Sequence, residues 1–115
     1  MTLSVEVSRT DWEGVQHSLP LESSLAGFEE TRRTFYGSSE AVKRGLRLLP
    51  LLNGQATVSI DADSFGDFLR ELDTLETMAR EADTYDSYWR YRLDNLRGAV
   101  AAARDHRPTV KVEIG

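Results

Sequence analysis

Residues that could do chemistry fall into a few groups in this 115-residue chain. The stretch Asp61-Ala62-Asp63-Ser64-Phe65-Gly66-Asp67 has the acids and the glycine of a calcium loop. Such a loop also needs an oxygen ligand at its fifth position and a bidentate Glu at its twelfth. Phe65 and Leu72 stand there instead. The stretch therefore reads as a strand end running into a helix N-terminus, where acids suit the macrodipole. The two histidines, His17 and His106, are far apart in sequence. Either could pair with a carboxylate for acid–base work, but no nucleophile motif, phosphate-cradling glycine loop or zinc spacing accompanies them. His106 reads as a dipole partner at a helix end, and His17 as a surface residue in a loop. The absence of cysteine removes disulfides, thiolate zinc sites and cysteine nucleophiles. The sequence thus predicts no catalytic residue, no metal and no cofactor.

The densest aromatic group is Tyr85, Tyr88, Trp89 and Tyr91, interleaved with Arg90 and Arg92. Tyr88 and Tyr91 stand three residues apart, so on a helix they share a face. Tyr, Trp and Arg dominate interface hot spots, and the expectation is an aromatic–arginine face made by Tyr88, Tyr91 and Arg92. Trp12, beside Asp11 and Glu13, is expected to pack as the anchor of the N-terminal segment.

Charge is distributed unevenly. Residues 61–83 hold eight acids and two bases, and residues 84–111 three acids and six bases. The first of these arms offers an acidic outer face that includes Asp67, Glu71 and Asp73, a surface suited to a basic protein. The chain carries a formal charge of −5, which disfavours direct nucleic-acid binding.

These residues need elements to hold them. Leu3–Val7, Ala56–Ile60 and Val110–Ile114 alternate apolar and polar residues with period two, the pattern of half-buried strands. Leu21, Leu25, Phe28 and Phe35 recur near helical spacing and predict a helix over 23–36. Val42, Leu46 and Leu49 predict a second helix that ends near Pro50. Trp12, Val15 and Leu19 suggest a short helix started by Asp11. From residue 63 onward the apolar residues follow heptad steps: Phe65, Phe68, Leu72, Leu75, Ala79 and Ala82, then Trp89, Leu93, Leu96, Val100 and Ala103. In an antiparallel pair, facing positions share a nearly constant sum of residue numbers. Leu72 with Val100 and Ala79 with Leu93 satisfy this, and so do Glu76 with Arg97 and Asp83 with Arg90. The spacing favours an antiparallel helical hairpin, about 63–84 and 86–106, over one continuous rod.

The expected fold is one α+β domain over 1–115. It has two layers, with a mostly antiparallel sheet of about three strands covered on one face by helices. No apolar run approaches the ~18 residues of a membrane span, and the alternating, Glu6-bearing start does not read as a signal peptide. A cytoplasmic protein is expected. The function expected is a non-enzymatic protein-binding module, in concrete form an inhibitor, immunity-type protein or phage-encoded antagonist of a basic partner. The contact residues would be Asp67, Glu71, Asp73, Tyr88, Tyr91 and Arg92. The alternatives are a homodimeric assembly protein and a small enzyme or ligand-binding domain using His17 or His106.

Overall fold

The computed structural model describes residues 2–105 and 109–115, so the expectations for His106 and Pro108 lie outside the described residues. The fold is α+β, with five strands: β1 (Thr2–Thr10), β2 (Gln16–Leu19), β3 (Leu25–Phe28), β4 (Val58–Asp61) and β5 (Val110–Ile114). The helices are α1 (Ser39–Lys43), α2 (Phe65–Glu81) and α3 (Ser87–Arg104). A π-helical turn (Arg32–Tyr36) and 3-10 turns (Leu49–Asn53 and Ala62–Ser64) complete the chain.

All strand pairings are antiparallel, in the order β2-β1-β5-β4. β3 also pairs β1, along Thr2–Ser4, while β2 takes the other half from Val7 to Thr10. The expected number of about three strands is therefore two too few. The extra strands come from residues read as helical. Leu25-Ala26-Gly27-Phe28 has apolar residues close to helical spacing, yet it lies against β1 with a bulge at Ala26. Gly27 there adopts φ +140°, which a side-chain-bearing residue rarely adopts. Residues 10–20 form a β-hairpin rather than a helix. The Asp11 carboxylate accepts the amides of Glu13 and Val15, each at 2.9 Å, and Gly14 supplies φ +84°, so the turn is fixed locally.

The alternating faces explain the layers. Leu3, Val5, Val7, Val58, Ile60, Val110, Val112 and Ile114 are buried. α3 contacts β1, β3 and β5, and α2 contacts β4. Phe65, Phe68, Leu72, Leu75, Leu93, Leu96 and Val100 complete the core. Each such side chain contributes roughly 1.5–3 kcal/mol when fully buried. The helix expected to run toward Pro50 stops at Lys43, leaving Val42 exposed. Leu46 and Leu49 reach the core from the loop and 3-10 turn that follow.

α2 starts at Phe65 with Ser64 in the N-cap position, and Asp61 closes the 3-10 turn before it by accepting the Ser64 amide at 3.2 Å. Asp67, in the first turn of α2, pairs with Arg70. α2 and α3 are separate helices. The break is at 82–86, where Asp83 has φ +57° and Asp86 caps α3 by accepting the Trp89 amide at 3.2 Å. Arg97 of α3 reaches Asp73 and Glu76 of α2, each at 3.1 Å. Asp83 forms no ion pair with Arg90 among the described residues, since its left-handed backbone belongs to the turn. Ala82, the last residue of the first heptad run, is exposed at the start of that turn.

Glu71 lies between Phe68, Leu72 and Leu75 on the buried side of α2 and is only 9% exposed. Its carboxylate accepts the backbone amides of Arg47, Leu48 and Leu49 at 3.0–3.2 Å. These bonds pin the 46–49 loop onto α2. Charge-assisted bonds to a partly buried carboxylate are worth more than neutral ones, and their loss leaves amides unpaired. Glu71→Ala is expected to cost about 2–4 kcal/mol in urea unfolding. Glu71→Gln, which keeps one acceptor, should cost less.

Candidate functional site

The aromatic residues of α3 meet residues of β3 and the π-helical turn. Trp89 stacks on Phe35 with ring centroids 3.8 Å apart, and it meets Tyr36 edge-on at 5.9 Å. Tyr88 stacks on Phe28 at 5.5 Å and lies edge-on to Trp89 at 5.0 Å. Offset-stacked and edge-on pairs add about 0.5–1.5 kcal/mol beyond burial. The Arg92 guanidinium lies 3.9 Å from the Tyr88 ring centroid and 5.5 Å from that of Tyr91, within cation–π range. The Arg92 Nε atom is buried with no hydrogen-bond partner among the described residues.

Beneath these rings the backbone is held by side chains. The Phe28 amide donates to the Tyr88 hydroxyl at 3.1 Å. The Tyr36 hydroxyl donates to the Ala26 carbonyl at 2.5 Å, and the Asn95 amide donates to the Leu25 carbonyl at 2.9 Å. Arg32 donates to the carbonyls of Leu52, Gln55 and Ala56 and pairs with Glu29. This ties the π-helical turn to the segment before β4. The patch therefore stands on a fixed floor, and its outer rim remains open: Phe28 is 49% exposed, Tyr91 45% and Leu25 38%.

The structure unites Tyr88, Tyr91 and Arg92, as their spacing predicts, and adds Phe28 and Leu25 from a distant strand. It separates them from the acidic candidates. Asp67 and Asp73 are exposed on α2 but bonded to Arg70 and Arg97 respectively, and Glu71 faces the core side. Glu76 is bonded to Arg80, Arg97 and the Tyr85 hydroxyl. Partial burial works against its charge, yet the bonds from Arg80 and Tyr85 and the nearby Arg97 hold its carboxyl below the usual range. Burial, and then the bond to Glu76, pushes the Tyr85 phenol up. Glu81 is bonded to Arg44. Much of the acidic arm is thus neutralised within the molecule.

His17 sits on β2, not in a loop. Its Nε2 lies 2.7 Å from Asp11 Oδ2, and this bond, with that from the Val15 amide, keeps the Asp11 carboxyl below its usual range. Trp12 does not anchor the N-terminal segment; it is 92% exposed at the tip of the β1–β2 hairpin. The turn around it is closed by backbone bonds, so the indole has no core within reach. Among the described residues no three metal-ligating side chains are grouped so that they could hold an ion. No helix there is long and apolar enough to cross a membrane.

Comparison with protein-family models, curated proteins and solved structures finds no match for this chain. The site's meaning rests on its own geometry.

Tyr36 gives that geometry a measurable signature. It is fully buried, and burial, followed by the neighbouring Tyr88, pushes its phenol above the usual range. A group raised on folding contributes fully below its unfolded pKa, and that contribution is lost as pH rises toward the folded value. Tyr36→Phe is expected to cost about 1–3 kcal/mol at pH 7, through the unpaired Ala26 carbonyl. Above about pH 10 the wild-type chain should lose stability faster than Tyr36→Phe, in denaturant melts compared at neutral and alkaline pH.

Proposed function

We propose that this chain is a non-enzymatic protein-binding module, an inhibitor- or immunity-type antagonist, that grips its partner with the Phe28–Tyr88–Tyr91–Arg92 patch. In this reading α2 and α3 form an antiparallel helical hairpin whose 82–86 end carries the patch. The supporting observation is the half-exposed ring stack. Its inner members are packed and hydrogen-bonded, while Phe28, Tyr91 and Leu25 leave apolar surface in water. A rigid aromatic surface loses little conformational entropy on binding, and such rings with an arginine are typical anchors. The partner is a protein with an apolar slot for Phe28 and Tyr91. A basic rim on the partner would also meet Asp73, which stays 75% exposed in its side chain while bonded to Arg97. Because most acids of α2 are already paired, the rings supply affinity and the charges add orientation.

The test is site-specific photocrosslinking, with a benzophenone amino acid in place of Tyr91, in cells that make the protein. Titration against the purified crosslinked partner follows. Phe28→Ala and Tyr91→Ala should each weaken binding about tenfold or more, and Ser59→Ala, on the open sheet face, should leave it unchanged. Affinity should fall only modestly with added salt. Failure to crosslink a protein, or equal affinity for wild type and both patch variants, would reject this reading.

A further inference from the structure

The β1–β2 hairpin and the cleft beside α2 are complementary in shape class and charge. The hairpin tip, residues 11–15, is a pre-formed finger. The Asp11 amide donates to the Val15 carbonyl at 2.9 Å and the Gly14 amide to the Asp11 carbonyl at 3.0 Å. The Asp11 carboxylate closes the same turn from inside. Such a loop has already lost its conformational entropy, so presenting its side chains costs little on binding. It presents Trp12, 92% exposed, and Val15, 51% exposed. Its flanking charges are acidic. Glu13 is exposed and makes no ion pair among the described residues.

Among the described residues, the cleft offers one free cation to meet that acid. It holds about 580 Å³ between the 44–48 loop and α2, and Arg44, Arg47 and Arg70 line it beside Asp67 and Glu71. Arg44 is engaged by Glu40 and Glu81, and Arg70 by Asp67. Arg47 is exposed and makes no ion pair among the described residues. An arginine plane over an indole gives cation–π stacking, and the partly exposed Leu48 offers it apolar contact. The cleft's backbone is fixed, because Glu71 holds the amides of residues 47–49.

We propose that Trp12 of one copy seats in the arginine-lined cleft of a second copy, with Glu13 meeting Arg47. The contact is heterologous, joining a finger to a cleft at another place on the surface. It uses neither Tyr91 nor Phe28 and is independent of the proposed function.

Sedimentation of the purified chain over about 1 µM to 1 mM tests it. Reversible association is expected, and Trp12→Ala and Arg47→Glu should each weaken it about tenfold or more. Both positions are exposed, and unchanged thermal melting confirms that the variants fold. Mixing the two variants should restore pairing, since one brings an intact cleft and the other an intact tip. Glu13→Arg combined with Arg47→Glu in one chain should recover much of the affinity lost by Arg47→Glu, whereas Tyr91→Ala should leave it unchanged. A chain that stays monomeric throughout, or association that Trp12→Ala leaves intact, would overturn the proposal. Mixed variants that fail to pair while the wild type associates would overturn it too.

Discussion

The hydrogen bonding of β1 is the constraint on which the rest depends. One edge of this strand is taken by β5 from Val5 to Arg9. The other is divided, with β3 on Thr2–Ser4 and β2 on Val7–Thr10. A single strand therefore positions two unlike surfaces. Where β3 pairs, the bulge at Ala26 turns Leu25 and Phe28 outward beside α3. Where β2 pairs, the strand continues into a tight turn that carries an indole into water. Antiparallel geometry keeps the two surfaces at different ends of β1.

Side chains then do work that regular secondary structure does elsewhere. The stretch from Glu29 to Thr57 has short helical turns and many backbone groups that no ladder satisfies. A buried backbone group without a partner is costly. Arg32 collects three carbonyls, Glu71 three amides, and Tyr36 the bulged carbonyl of Ala26. In each case a long polar side chain crosses between segments distant in sequence. The clamps therefore fasten the irregular stretch to the sheet and to α2 at once.

This division also explains what could be read from the sequence. β1, β4 and β5 alternate because one face meets the helices and the other meets water, so their period is visible residue by residue. Tyr88, Tyr91 and Arg92 were legible because three- and four-residue spacing on one helix brings side chains together. Phe28 was not, because it meets them only where β3 packs against α3, sixty residues further along the chain, and its spacing from Leu25 and Leu21 imitates a helix. β2 was hidden because Gln16-His17-Ser18-Leu19 is almost wholly exposed and shows little alternation. Glu71 was read as an outer-face acid on the strength of its charge. Its place three residues after Phe68 and four before Leu75 was the available sign that it faces inward.

The pairing of β1 with β5 bears on how the molecule is made. Ser4 and Gly115 exchange backbone hydrogen bonds at 3.0 Å, so the middle of the sheet joins stretches that the ribosome releases more than a hundred residues apart. Contacts this distant carry a large loop-closure cost and slow folding. While the chain is being synthesised, the β1–β2 turn and the helices have local partners to form with, but Leu3, Val5 and Val7 wait uncovered on their inner edge. The sheet closes last, when Val110–Ile114 arrives to fill the gap between the first strand and the fourth.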